Sequence, residues 1–411
     1  MSKQGFLACR EKLRYSLVAG FLIFPFPVYA SFIEATIGTA VINDATAGYF
    51  NPAALTLVNN PQFVMLGSVA HLQSEFTGEA TQKLTGYMQS GTSNTNSTFY
   101  LPSVYLATPV TPKVTWGLAL VANNFNRDLD VNSILRYVQP SNQVEDIDLV
   151  PSLGLKINEY FSIGAGLNFS KASFITEPVT GLPSLNIPDS TSHNDSNGTS
   201  WGGDVGILLK PAKATLIGLN YRSPMTYQFI GSSSVNTHPG LTVYNYHFNY
   251  WIPARSVLTM TRFVTRDLGL LATVQYIQWN IFKDVNMYNV ATQMGTQPVI
   301  LPHAKVLYNF HNTWNVTLGG QYYITPDWVF RVASSYVPSP SSGNYQIDNG
   351  DNIIAGASTG YNITKKIIID GSYAHSFMLN KNINISGPRN LVEGVDKASG
   401  DAVSLKLTLN I

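Results

Sequence analysis

One serine in this chain carries the spelling of a hydrolase nucleophile: Gly356-Ala357-Ser358-Thr359-Gly360 satisfies Gly-x-Ser-x-Gly. That spelling does chemistry only on a sharp strand-to-helix turn, which exposes the hydroxyl beside a histidine and backbone N–H donors. Here the stretch falls inside a predicted strand with no helix after it, so it reads as small residues on a sheet wall. The histidines, at positions 71, 193, 238, 247, 303, 311 and 375, are scattered. They form no His-x-x-x-His and no spacing with paired carboxylates, so neither a metal nor a metal-dependent active site is expected. No Gly-rich loop opens a helix to cradle a phosphate, which removes nucleotide chemistry as well. The expectation is a chain with no catalytic residues and no cofactor.

The elements that carry these residues belong to an unusual surface. Only 12% of the 411 residues are charged, with 25 Lys+Arg against 24 Asp+Glu. Soluble domains carry about 25% charged residues, so something other than water covers part of this protein. Near-zero net charge without a basic run excludes nucleic acid as a partner, because phosphate binding needs concentrated positive charge. The longest apolar stretch is too short and interrupted for a membrane-spanning helix. It belongs instead to residues 1–30, which read as a cleaved export signal: Lys3, Arg10, Lys12 and Arg14, then an apolar core from Leu17 to Phe24, then Val28-Tyr29-Ala30. Cleavage there removes Cys9, the single cysteine, so the exported chain is expected to fold without disulfides.

From about residue 61 the pattern is strand, punctuation, strand. Tight turns are expected at 111–113, 158–160, 211–213, 265–267, 325–327 and 364–366. Longer polar loops are expected at 73–98, 127–145, 177–198, 232–246, 284–308, 339–349 and 380–400. Six turns alternating with seven loops join fourteen strands. Short connections at one end and long ones at the other are what a transmembrane barrel of antiparallel strands requires. Strand faces agree, since Val403, Leu405, Leu407 and Leu409 alternate with Ser404, Lys406, Thr408 and Asn410. Trp116, Tyr160, Phe161, Trp251, Trp279, Trp314 and Trp328 fall near strand ends, where interfacial girdles form. The expected fold is therefore all-β: a 14-stranded antiparallel transmembrane β-barrel over residues 61–411. Residues 31–60 do not alternate, precede the first strand, and are expected to plug a lumen wide enough to need filling.

Several short motifs resemble one family. Gly38-Thr39-Ala40, Asp44-Ala45 and above all Asn51-Pro52-Ala53-Ala54-Leu55 are similar to the N-terminal hatch of FadL/TodX-type outer-membrane transporters of hydrophobic compounds. The likeness continues through Val150-Pro151-Ser152-Leu153-Gly154, Tyr221-Arg222-Ser223-Pro224, Ile252-Pro253-Ala254, Asn312-Thr313-Trp314 and Asp370-Gly371-Ser372-Tyr373. It implies a barrel of the Gram-negative outer membrane, plugged by its hatch, with an apolar pocket that captures a long-chain fatty acid or hydrocarbon and passes it sideways into the membrane lipid. Hatch movement would centre on Phe32, Ile33, Asn51, Pro52 and Ala53.

The family's fatty-acid binders place a Lys before the tenth-strand Trp and an Arg late in strand five, where this chain has His311 and Ser173. Carboxylate recognition would then fall to His311, Lys171, Arg222 or Arg331, unless a lumenal Arg pairs with an acid such as Asp370 and serves the wall instead. The expected function is passive transport by a monomer; the alternatives are an outer-membrane lipid hydrolase and an open porin.

Overall fold

The computed structural model describes residues 32–411 except 238, 348 and 349, so the expected export signal lies outside the described residues. Two short helices, α1 (Phe32–Ile37) and α2 (Ala47–Phe50), and two 3-10 turns, Thr39–Val41 and Pro52–Leu57, precede the sheet. The strands then follow in order: β1 (Gln62–Gln82), β2 (Tyr87–Thr111), β3 (Val114–Leu129), β4 (Ser141–Lys156), β5 (Phe161–Glu177), β6 (Val179–Leu182) and β7 (Ile187–Ala212). Next come β8 (Thr215–Arg222), β9 (Met225–Val235), β10 (Leu241–Ile252), β11 (Arg255–Phe263), β12 (Leu268–Ile277), β13 (Asp284–Met294) and β14 (Gln297–Leu307). The chain ends with β15 (Thr313–Thr325), β16 (Trp328–Val337), β17 (Asn352–Asn362), β18 (Ile367–Met378), β19 (Lys381–Ser386) and β20 (Asn390–Asn410).

Pairing is antiparallel throughout, and β20 returns to β1 along its full length, from Gln62 opposite Asn410 to Gln82 opposite Asn390. The sheet closes on itself, so its first and last strands are paired, as a sheet spanning hydrocarbon requires. Its wall has fourteen positions: β8 and β9, β10 and β11, and β18 and β19 are each one strand with a break, and the short β6 and the β13–β14 hairpin add none, since β12 pairs directly with β15. Prolines make two of these breaks, Ser223-Pro224 and Pro253-Ala254, since proline brings no N–H to a ladder.

All six expected tight turns are present, and the alternating faces hold: Val403 and Leu405 are exposed while Ser404, Lys406 and Thr408 are buried in the lumen. The expected long loops need correction. Residues 73–98 are mostly strand, with a turn only at 83–86, because β1 stays paired with both β2 and β20 to Gln82. Their Ser, Thr and Asn content reflects water beyond the bilayer rather than loss of the ladder. Residues 284–308 are likewise a hairpin, β13–β14, folded inward across β10, with 290–293 buried on both faces. Trp279 is not in a girdle; it is buried inside the barrel, whereas Trp116, Tyr160, Trp314 and Trp328 are exposed on the wall.

Candidate functional site

The segment 32–57 packs onto the inner wall over a row of glycines. Gly154 is the register partner of Gly164, and Gly164 of Gly206, so three adjacent strands present bare backbone to the lumen at one level. Gly117 and Gly218 extend the smooth surface on either side. Asn51-Pro52-Ala53 lies directly on it. A methyl group at Gly164 would stand 2.3 Å from Ala53 N, and one at Gly218 would stand 1.9 Å from Ala40 O. Side chains at these positions would lift the segment off the wall.

Asn51 fastens the contact. Its Oδ1 accepts the Ala53 N–H at 3.2 Å, capping the turn that Pro52 opens, while its Nδ2 donates to Ala40 O at 2.7 Å and to Ile207 O of the wall at 3.2 Å. Ile33, Tyr49, Phe50, Ala54 and Leu55 then fill the space against Val64, Leu66, Tyr105, Ala119, Val121 and Val150. Phe32 seats separately between Ala333, Val337, Ile354 and Ala374.

Buried charges hold the remaining sides. Lys406 Nζ lies 2.8 Å from Asp44 Oδ2, 3.8 Å from Glu34 Oε1 and 4.0 Å from Asp370 Oδ2, tying two acids of the segment to the wall. Arg222 donates from Nη2 to Tyr49 O at 2.5 Å and lies 4.2 Å over the Tyr49 ring. Thr36 Oγ1 meets Ser358 Oγ at 2.7 Å.

Beyond this plugged level the lumen becomes aromatic. Phe174, Tyr227, Phe229, Tyr246, Phe248, Trp279, Phe282, Tyr308 and Phe310 form one buried cluster with Met287, Val290 and Leu301 of the β13–β14 hairpin. Phe229 and Phe248 stack at 4.9 Å with planes 13° apart, and Phe174 meets Phe248 edge-on at 5.7 Å. Rings of this kind present large apolar area with little conformational entropy to lose. Such a cluster is an apolar environment that favours hydrocarbon over water and ions.

A fourteen-stranded barrel with its N-terminal segment packed on the inner wall and an aromatic cluster in its lumen matches a described family. Residues 32–410 match the family model for the outer membrane protein transport protein (OMPP1/FadL/TodX). The chain belongs to this family. A long-chain fatty acid transport protein of Escherichia coli O6:H1 (strain CFT073) is 23% identical over 372 residues, covering 82% of each chain. A Pseudomonas aeruginosa FadL homologue has the same fold at a TM-score of 0.80 and 20% identity, covering 95% of this chain and all of that one. The Pseudomonas putida toluene transporter TodX aligns at a TM-score of 0.68 and 15% identity, with 95% and 100% coverage. Family membership places this barrel in a Gram-negative outer membrane.

Against that family background, the four cations expected to meet a carboxylate divide cleanly. Arg222 is spent on Tyr49 of the plug, and Arg331 is ion-paired with Asp370 at 2.9 Å, the structural alternative raised by the sequence. Lys171 and His311 are exposed and lie outside the aromatic cluster: Lys171 shares the outward face of β5 with Phe169, and His311 follows Phe310. None of the four enters the chamber as a free cation. Ser358 sits mid-strand in β17 rather than on an elbow, facing Thr36. Sequence reasoning missed the glycine row and Lys406. Glycines recurring at inward positions of adjacent strands were the readable signal for the row.

Proposed function

We propose that this protein carries hydrophobic molecules, long-chain fatty acids or hydrocarbons, passively across the outer membrane. The cargo enters the aromatic chamber, the plug segment around Phe32, Ile33 and Asn51-Pro52-Ala53 rearranges, and the cargo leaves sideways into membrane lipid. The observation that carries this reading is the aromatic cluster lying directly outside the plug. Each buried methylene contributes about 0.8 kcal/mol, so the chamber concentrates long chains that a watery pore would turn away. Lateral release is supported by the wall itself. Above Pro253, β10 pairs with β13 only at His247 and Phe248, and residues 249–252 have no ladder partner on that side. The adjoining chain runs as a 3-10 turn, Trp279–Ile281, instead of strand. The barrel closes within a single chain, which supports action as a monomer.

The plug separates this reading from an open porin. Purified protein in planar bilayers is expected to give almost no steady conductance, and cells expressing it are expected to accumulate radiolabelled palmitate. Large conductance with the plug intact, or no palmitate accumulation, would overturn it.

A further inference from the structure

Strands β4, β5, β7 and β8 turn the glycine row toward the lumen, and behind that row their outward faces form a groove of about 510 Å³. Leu153, Ile163, Ala165, Val205, Leu219 and Tyr221 line it, all exposed on the lipid side of the wall, so it is apolar almost throughout. Gly164 and Gly206 also line it. Their other side touches the plug, since a methyl group at Gly164 would meet Ala53 N and one at Gly206 would meet Asn51 Oδ1. The wall between groove and plug is a single layer of backbone.

Below the groove the same strands end in the tight turns around 158–160 and 211–213, on the periplasmic side. The charged side chains there are Lys156, Glu159, Lys210 and Lys213. Lys156 Nζ lies 3.6 Å from Glu159 Oε1 and is partly neutralised. Lys210 and Lys213 are exposed, and among the described residues neither ammonium has an ion pair or a hydrogen bond. Lys210 N donates to Tyr160 O at 2.8 Å, which holds the two turns side by side, and the Tyr160 ring is exposed at the same level. Val205 stands five residues above Lys210, about 16 Å of strand before tilt is counted. Half of a hydrocarbon core about 30 Å thick is about 15 Å. The groove therefore lies in the inner half of the bilayer, with two unpaired ammonium groups at the depth of the inner-leaflet headgroups.

We propose that this face binds one anionic glycerophospholipid of the inner leaflet, with an acyl chain in the groove and its phosphate at Lys210 and Lys213. Apolar burial holds the chain, and cations near the membrane surface attract an anionic headgroup. A zwitterionic lipid would satisfy the groove and not the lysines, and a free phosphate the lysines and not the groove. Bound there, the lipid lies against the outer side of the two glycines that seat Asn51 and Ala53, separate from the aromatic cluster.

The test is native mass spectrometry of the detergent-purified protein with dioleoylphosphatidylglycerol or dioleoylphosphatidylcholine, which share their acyl chains and differ in net charge. Wild type is expected to hold one phosphatidylglycerol about ten-fold more tightly than phosphatidylcholine. Lys210→Gln combined with Lys213→Gln is expected to abolish that preference and leave phosphatidylcholine binding unchanged. Ala165→Trp, which fills the groove and keeps both lysines, is expected to weaken both lipids several-fold. Heat-modifiable gel mobility verifies that each variant is folded. Equal retention of the two lipids by wild type, a preference that survives loss of both lysines, or binding untouched by Ala165→Trp overturns the site.

Discussion

Gly206 and Asn51 are in contact so close that a methyl group on the glycine would stand 1.9 Å from the asparagine Oδ1. The wall residue is thereby committed to having no side chain, and the asparagine to its place in the plug. Gly206→Val is therefore expected to leave the outward face and strand pairing of β7 intact while pushing the Asn51 turn off the wall, at a cost of about 1–3 kcal/mol. Planar-bilayer recording should then show conductance where wild type is closed. A variant as tightly closed as wild type would mean that the plug is held elsewhere.

Lys406 bridges three acids: Asp44 and Glu34 of the plug and Asp370 of the wall. Removing the ammonium leaves those carboxylates buried without their shared cation. Lys406→Met should destabilise the plugged barrel by about 3–5 kcal/mol, read as a lower temperature of heat-modifiable mobility. Adding Asp44→Asn should restore part of that loss, because the two groups share one interaction. Strict additivity would show that they do not.

Ser358 donates to, or accepts from, Thr36 at 2.7 Å and lies in the middle of β17. Ser358→Ala removes one hydroxyl contact, about 1 kcal/mol, and should leave palmitate uptake close to wild type. Purified wild-type protein should not be labelled by a fluorophosphonate. Labelling that disappears in the variant would revive the hydrolase reading.

Phe248 touches Phe174, Phe229 and Tyr246 at the centre of the outer chamber. Phe248→Ala should weaken palmitate binding about ten- to a hundred-fold, since one lost aromatic contact is of the order of 1.5–3 kcal/mol. Conductance should remain near zero, because the plug lies beneath the chamber. Unchanged binding would place the cargo somewhere other than among these rings.

The sequence alone determined the barrel. Period-two alternation, scarce charge and turns at regular spacing are local properties, and each survives folding because a strand shows one face to lipid and the other to the lumen whatever its neighbours are. The Asn51-Pro52 turn was legible for the same reason, as capping and a fixed φ act within a few residues. Arg331 with Asp370 was legible only as an alternative, since nothing local says which of two buried roles a lumenal arginine takes.

Only the tertiary structure decided which strands lie side by side, and the site follows from that. Gly154, Gly164 and Gly206 are far apart in the chain and become one surface through cross-strand register. Lys406 reaches Asp44 across 362 positions. The polar stretches at 73–98 and 284–308 read as loops because composition reports what faces water, whereas their strands are set by pairing with distant partners.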